Sequence, residues 1–509
     1  MAQAAEALDL ERRFITITNP ATLEKVAEIP VTTSPELAAA EARARAAQKD
    51  WARLSFRDRA DALYRFREQL LDDAERFAEV LTSETGKPWG DAWGVELIYV
   101  CDEISYWARN AEKLLADQRV TPHLLKTKAA YSTYAPTGVI GFIGPWNFPF
   151  VLTIGEAIPA LVAGNAVIIK PSEITPRSAL FGAEAWRDAG LPEALLQVVP
   201  GYGETGAKLI DHVDMICFTG SVATGRKVAV KAAEQLKPCS LELGGKDPMI
   251  VLRDANLERA ANACIWGGLV NSGQVCMSVE RVYVEEPVYD AFVKLVEEKI
   301  KKVRQGPSKE SVDIGSMSFP PQLEKVERHV NDAVAKGAKV LAGGRRNPAY
   351  PGLYYEPTLL VNVNHDMEVM KDETFGPVIP IMKVRDEEEA IRLANDSPYG
   401  LAASIFTRNK EKGRALARRI EAGGICVNDC IVHFAVTELP MGGVKESGLG
   451  RRHGPEGIRK YCTQKSVVVD RLGLNSEFNW FPNTPAKLAI LRRLMNLLFR
   501  SSWKKKLFG

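Results

Sequence analysis

Several ingredients are scarce in this 509-residue sequence, and each scarcity removes a class of protein. Only six histidines are present, and none of the eight cysteines forms a C-x-x-C pair, so no structural metal site is expected. Eight thiols in so long a chain do not make a disulfide framework, and free thiols point to a reducing compartment. Neither sign of charge dominates. Lys and Arg number 66 against 64 Asp and Glu, a formal net charge of +2 with the signs interspersed, which argues against a nucleic-acid partner. No run approaches the roughly 20 apolar residues of a membrane span. The first residues carry Glu6, Asp9, Glu11, Arg12 and Arg13 where a secretory signal needs an apolar stretch. Short internal repeats, low-complexity segments and long linkers are missing too. A cytoplasmic protein is expected, with the C-terminal tail as the one reason to place it at a membrane.

What is present is ordinary globular material: 46% hydrophobic and 26% charged residues, in a chain long enough for two or three packed units. The stretches Pro35–Trp51 and Arg57–Thr85 carry apolar residues at helical spacing. From Ala129 the rhythm changes. β-Branched runs at Gly138–Ile143, Ala166–Ile169, Leu196–Val199 and Met215–Phe218 alternate with helical segments. The pattern restarts after Leu243, with strands expected at Pro248–Leu252, Arg281–Val284, Tyr355–Leu360, Val378–Met382 and Leu401–Phe406, and helices at Asn256–Ser272 and Val288–Val303. Such alternation predicts an α/β fold of two similar units, each a parallel sheet covered by helices, joined near Leu241–Lys246. Lys126–Ala135 and Gln464–Asp470 alternate like exposed strands, free to pair with each other or with another subunit.

Two segments compete as a dinucleotide site. Gly201-Tyr202-Gly203-Glu204-Thr205-Gly206 fits the G-x-G-x-x-G spacing, a weak signal in a chain with 39 glycines. Phe218-Thr219-Gly220-Ser221, followed by Gly225, ends a strand in a small-residue turn before a helix, where free backbone N–H groups suit a phosphate. The catalytic signal is a cysteine. Asn271-Ser272-Gly273-Gln274-Val275-Cys276 sets Cys276 after a glycine turn, where a thiolate would be exposed, while the other seven cysteines read as small buried hydrophobes. Glu242, in Leu241-Glu242-Leu243-Gly244-Gly245-Lys246, lies among apolar neighbours that would raise its pKa toward that of a working base. Asn147, in Pro145-Trp146-Asn147-Phe148-Pro149, offers an amide on a stiff turn, suited to an oxyanion.

These motifs, with Lys170–Glu173, Glu373–Pro377 and Met441–Gly448, follow one another in the order of a known family. From about Thr16 to Val469 the sequence resembles the aldehyde dehydrogenase superfamily. The resemblance implies two Rossmann-type parallel-sheet domains and a small oligomerisation flap. The cofactor domain would cover 1–245, with 124–136 in the flap, and the catalytic domain 246–440. Residues 441–480 would return to the cofactor domain and supply the oligomerisation strand, and 481–509 form a basic amphipathic tail. It also implies a mechanism. Cys276 attacks the aldehyde, Asn147 and the Cys276 N–H hold the oxyanion, hydride passes to a nicotinamide, and Glu242 activates the water that hydrolyses the thioester. Glu373 and Phe375 would contact the nicotinamide ribose and ring, with Trp146 beside the cofactor. Lys170 and Glu173 would bind the adenosine ribose, Thr219, Gly220 and Ser221 the pyrophosphate, and Gly203 would lie near the adenine. A carboxylate at Glu173 favours NAD, with NADP as the alternative.

Two departures stand out. Where many family members carry a Lys nine residues after the oxyanion Asn, this chain has Glu156, and where they carry a Glu late in the chain it has Arg452. A reversed ion pair beside Glu242 follows, unless the charged groups lie more than about 6 Å apart. The loop Asn428–Val436 resembles class 3 enzymes, so Trp146, Phe150, His433 and Phe434 are expected around an apolar pocket for medium- or long-chain or aromatic aldehydes. Arg451–Gly457 instead resembles bacterial succinate-semialdehyde dehydrogenases. A homodimer or tetramer is implied. In the tail, Leu491, Leu494, Met495 and Leu498 share one helical face and Arg492, Asn496 and Arg500 another, followed by Trp503 and Lys504–Lys506, a pattern for a membrane interface or a protein surface. Three other functions fit less well. A CoA-acylating dehydrogenase would lack Glu242, a non-enzymatic binding protein would have lost part of the Cys276, Glu242 and Asn147 set, and an alcohol dehydrogenase leaves Cys276 unexplained.

Overall fold

The computed structural model describes residues 13–309 and 311–501. The chain divides into two units, one running to Ala116 and resuming at Tyr134–Gln464, the other made of Asp117–Thr133 and the chain from Lys465 onward.

Three helices open the first unit after a hairpin of Phe14–Thr18 and Lys25–Pro30. Ser34–Trp51 and Phe56–Asp72 begin at capping boxes, in which Thr33 with Glu36 and Ser55 with Asp58 satisfy the free N–H groups reciprocally. The helical stretch expected over Arg57–Thr85 is two helices. Asp73, whose carboxylate accepts from the Gln69 side-chain amide at 2.8 Å, leaves helical geometry with φ −95° and ψ 15°, and Ala74–Thr85 starts afresh.

The six-stranded sheet has the order Gly448–Leu449, Cys239–Glu242, Met215–Thr219, Val139–Ile143, Ala166–Lys170, Leu196–Val198, parallel except for its first pair. Ala166–Lys170 is buried throughout, as a run such as Ala-Val-Ile-Ile allows when helices cover both faces. The seven-stranded sheet has the order Lys339–Ala342, Thr358–Val361, Val378–Val384, Val279–Glu285, Asp247–Val251, Ala402–Phe406, Gly424–Val427, again parallel except for its first pair. Alternate side chains feed two separate cores: Met249 and Val251 join Val282 and Val284 on one face, while Ile250 joins Tyr283 and Ile405 on the other. The strand expected from Tyr355 starts only at Thr358, since Pro357 has no N–H for the ladder. Leu243–Lys246 lead from the last residue of one parallel strand, Glu242, to the first of the next sheet, Asp247.

A three-stranded sheet of order Cys462–Asp470, Lys128–Pro136, Gln118–Val120 contains all the described strand residues of the second unit. The two exposed-strand segments read from the sequence are therefore neighbours. Within this unit Lys128 pairs with Asp470 at 2.6 Å and also with Glu477. The helix Pro485–Phe499 has no buried residue. Among the described residues no helix is long and apolar enough to cross a membrane. Trp503 and Lys504–Lys506 lie outside the described residues.

Candidate active site

Glu242 ends its strand with a buried side chain, and neither carboxylate oxygen has a hydrogen-bond partner in the structure. Burial pushes its pKa up to about 8, against the pull of Arg452 and Lys460. The dry, raised carboxyl expected from its apolar neighbours is what the fold builds.

Cys276 follows an unusual turn. The helix expected to Ser272 stops at Leu269, and Asn271, Ser272 and Gly273 then take φ of 51°, 55° and 70° in succession. Left-handed backbone at two non-glycine residues costs free energy and persists only where surroundings hold it. Here the Asn271 amide donates to the carbonyls of Asn147 at 3.0 Å and Gln274 at 3.2 Å, while the Asn271 N–H donates to Asp91 at 3.2 Å. Gly273 must be glycine. A Cβ there would lie 2.1 Å from the Gly376 carbonyl oxygen. The Asn147 amide donates to the Gln274 carbonyl at 3.0 Å, so its turn and the cysteine turn are laced together, leaving one amide hydrogen uncommitted. The Cys276 side chain is half-buried and free of disulfide. Burial, reinforced by the carboxylates of Glu373, Asp247 and Glu242, pushes its pKa well above the ordinary thiol value. The thiol expected to be exposed is thus part-exposed, in surroundings rich in acidic groups that oppose its ionisation.

One pair that supports Asn147 was not read from the sequence. Lys87 and Glu96 form a fully buried ion pair at 2.5 Å. Lys87 also donates to the Asn147 carbonyl at 2.8 Å and lies 4.2 Å from the centre of the Phe148 ring. Glu96 accepts from the Phe150 and Val151 N–H groups, each at 3.0 Å. The two residues grip both ends of the Asn147 turn. Lys87 follows a helix end and reads as a surface cation, so nothing in its local pattern gives it away.

The residues expected around a cofactor are placed as follows. Glu373 is held by the Gly245 N–H at 3.0 Å, and burial together with Glu280 raises its pKa to about 7. Phe375 has a φ of 56°, fixed by Glu280, which accepts from its N–H and from that of Thr374, each at 2.7 Å. Lys246 bonds Glu280 at 2.5 Å and Thr374 at 3.0 Å from the other side. The Trp146 ring packs edge-on against Phe375 and Phe319, at 5.3 and 4.8 Å. Lys170 pairs with Glu173 at 3.0 Å. Thr219 closes its strand, the Gly220 N–H donates to the Glu242 carbonyl, and Ser221 caps the helix Val222–Glu234. A Cβ on Gly203, the first residue of its helix, would meet nothing within 4 Å, which leaves room for a ligand to approach. These groups fit a dinucleotide: an open glycine turn, a capped helix start and a carboxylate near each ribose position the resemblance implies. As for metals, His329, Glu368 and Asp372 bring ligand atoms within 4.8 Å of one another, with Glu368 already paired to Arg328 at 3.1 Å.

The reversed ion pair is present. Arg452 and Glu156 lie 2.5 Å apart and both are buried. Two further partners complete it: Lys460 reaches Glu156 at 2.9 Å, and the Tyr461 hydroxyl donates to the same oxygen at 2.9 Å. Burial alone would push the Glu156 carboxyl up, but the cations win and hold it at about 2. Phe434 stacks on Tyr99 at 4.8 Å and lies under Arg452, whose guanidinium is 4.9 Å from the ring centre. His433 contacts Gly424 and the Cys426 sulfur, and burial lowers its pKa to about 4, so the ring is neutral. One pocket assignment needs correction. Phe150 is fully buried between Phe77 and Phe181, because the widened turn Val151–Gly155 aims it into the helical core. Trp146 packs against Phe375.

Two parallel sheets that meet at a thiol, a dry carboxyl and an open dinucleotide cradle define a nicotinamide-dependent oxidoreductase. The model described as the aldehyde dehydrogenase family matches residues 8–467, and the chain belongs to that family. A Mycobacterium tuberculosis protein provisionally named succinate-semialdehyde dehydrogenase (NADP+) 2 is 41% identical over 479 residues, 92% of each chain. A Methylomonas protein named 4,4'-diapolycopene aldehyde oxidase is 40% identical over 435 residues, 85% of this chain and 81% of its own. Among solved structures, Mycobacterium tuberculosis aldehyde dehydrogenase complexed with NAD+ superposes with a TM-score of 0.87 at 34% identity, covering 92% of this chain and 96% of that one. The enzyme uses NAD(P).

Proposed function

We propose that this aldehyde dehydrogenase works through Cys276, Asn147 and Glu242, with the six-stranded sheet binding the cofactor and the seven-stranded sheet carrying the nucleophile. The Cys276 sulfur, on losing its proton, attacks the aldehyde carbon, and the free Asn147 amide hydrogen and the Cys276 N–H hold the oxyanion. Bound NAD(P) supplies the hydride acceptor. Glu242 then takes a proton from the water that attacks the Cys276 thioester, and the carboxylic acid leaves as the sulfur is released. Glu373 and Phe375 hold the nicotinamide end, Trp146 packs beside them, Lys170 and Glu173 hold the adenosine ribose, Thr219–Ser221 the pyrophosphate, and Gly203 borders the adenine. The observation that carries this reading is Glu242: a buried carboxyl with no hydrogen-bond partner, raised to about 8, in reach of the Cys276 field.

For the substrate we propose an apolar or aromatic aldehyde. Phe434 supplies a wall, His433 is neutral, and two cations nearby, the buried Arg452 and the part-buried Lys460, are both paired with Glu156. The names of the mycobacterial relatives favour a second reading, succinate semialdehyde, which needs a free cation for its distal carboxylate. NADH formation with decanal, benzaldehyde and succinate semialdehyde, beside Cys276→Ala, tests both. Activity lost in the variant supports the thioester route, and a preference for succinate semialdehyde defeats the apolar assignment.

The tail supports a membrane-surface contact. In Pro485–Phe499, Leu488, Leu491, Leu494, Met495 and Leu498 are exposed, and the helix contains no acidic residue beside Lys487, Arg492 and Arg493. Exposed apolar side chains flanked only by cations suit an anionic lipid interface. Sedimentation with anionic vesicles that is lost on deleting 485–509 is the expected result, and no sedimentation of the intact protein rules the contact out. The exposed strand Cys462–Asp470 supports a homo-oligomer, to be read from the mass in solution.

A further inference from the structure

Glu242 is surrounded by charge that its own strand does not supply. Arg451 and Arg452 face it from the turn after Gly448–Leu449, Lys460 from the end of the helix Gly454–Arg459, Glu156 from the helix Glu156–Val162, and the Cys276 thiol from the loop before Val279. Lys460 reaches the Glu242 strand directly. Its ammonium touches Ser240 at 3.4 Å as well as Glu156 at 2.9 Å. Ser240 and Glu242 are two apart on one strand and so share a face. Arg452 and Glu156 alone would cancel. With Lys460 added, the three charges carry a surplus of one positive charge, Arg451 adds to it, and the unpaired carboxyl beside them is Glu242.

We propose that Lys460 is a positioning residue for thioester hydrolysis, supplying the surplus positive charge that draws Glu242 into its ionised, base-competent form. The inference rests on the reading of Glu242 as the general base. Burial opposes ionisation of Glu242, and an opposite charge within several ångströms favours it. Lys460 acts through Glu242 and contacts no reacting atom. Glu156 has the opposite effect: it fixes Lys460 and Arg452 in place but subtracts one charge from the sum.

The test is the pH dependence of turnover in the full-length enzyme with its cofactor, read beside the pre-steady-state burst of NADH. Glu242 serves as base only when ionised, so the acid limb of steady-state turnover follows its pKa. Lys460→Met is expected to move that limb to higher pH by about one unit, with the burst retained because hydride transfer precedes hydrolysis. Lys460→Arg keeps the charge and should restore the limb. Glu156→Gln enlarges the surplus and should move the limb to lower pH. A merely structural cluster would not give shifts of opposite sign. If Lys460→Met does not fold, Glu156→Gln and Lys460→Arg carry the test. Unshifted limbs, or shifts of the same sign, overturn the proposal. Glu242→Gln separates this outcome from failure of the underlying reading. A variant that stalls after the burst, beside unshifted limbs, defeats only the role of Lys460, whereas full turnover in Glu242→Gln defeats the base assignment itself.

Discussion

Lys87→Met removes one half of a buried ion pair, and the structure sets the size of the damage. Lys87 and Glu96 are both fully inaccessible, so the carboxylate left behind keeps its two backbone donors but loses its counter-charge. Stripping one partner from a buried pair costs about 3–5 kcal/mol, since the remaining charge stays buried and uncompensated. At roughly 2 °C per kcal/mol for a large domain, the apparent melting midpoint should fall by about 6–10 °C. Lys87→Met/Glu96→Gln should recover part of that loss, because a neutral amide needs no counter-charge and its oxygen can still accept both N–H groups, which share one Glu96 oxygen. Activity should fall further than stability alone explains. The Asn147 carbonyl would keep Asn271 at 3.0 Å but lose Lys87 at 2.8 Å, freeing one side of the oxyanion turn. A displacement of about 1 Å in such a group costs on the order of 100-fold in rate. The cofactor loop, held separately by Glu280 and Lys246, should bind NAD(P) with little change in KM. Differential scanning fluorimetry and initial-rate kinetics on the wild type, both single variants and the double variant measure all of this. A Lys87→Met enzyme with a midpoint within about 2 °C of wild type and an unchanged kcat would refute the reasoning.

Two smaller perturbations probe other parts of the site. Glu173→Ala removes the carboxylate paired with Lys170 at 3.0 Å, and without that charge the kcat/KM ratio of NADP to NAD should rise by about tenfold, or 1.4 kcal/mol; an unchanged ratio places the ribose elsewhere. Gly273→Ala sets a methyl group 2.1 Å from the Gly376 oxygen at a φ of 70° and should cut kcat by on the order of 100-fold, whereas Gly94→Ala, where a Cβ meets nothing within 4 Å and the backbone is not left-handed, should leave kcat intact. Equal activity in the two variants would mean that the Cys276 turn does not depend on the close approach.

Strands buried on both faces announced themselves, because a run such as Ala-Val-Ile-Ile-Lys can lie only in a covered parallel sheet. Element ends were less legible where a single residue decided them: Asp73 splitting a helical stretch, Pro357 delaying a strand, and Asn271 turning left-handed after Leu269. Glu242 was legible because its apolar sequence context, Leu241 and Leu243, marks a buried segment. The resemblance placed Glu156 opposite Arg452. It did not reach Lys460 or Tyr461, nor Lys87 with Glu96, since these meet their partners only through tertiary packing and their own neighbours look like any solvated surface. Phe150 misled for the same reason. Next to Pro149 it reads as a pocket wall, and only the widened turn that follows sends it into the core.

The arrangement of the two sheets accounts for the acid-rich surroundings of the thiol. Asn147, beyond the carboxyl end of Ile143 in the six-stranded sheet, bonds the turn at the amino end of the seven-stranded sheet, where Lys246, Cys276 and Phe375 lie one to three residues before Asp247, Val279 and Val378. Carboxyl ends of parallel strands offer helix N-termini and suit the phosphates of a dinucleotide. The opposing amino ends gather carboxyls, and the thiol feels Glu373, Asp247 and Glu242 together, with Arg452 the one cation among its leading influences. Burial pushes the pKa of Glu373, Asp247, Glu242 and the thiol up together and so opposes the ionisation of each. The fold answers with cations whose own counter-ion, Glu156, falls one charge short of cancelling them. That shortfall makes an ionised Glu242 tenable in a dry site, and it is why Lys460, remote from the reacting atoms in sequence and in contact, belongs to the chemistry.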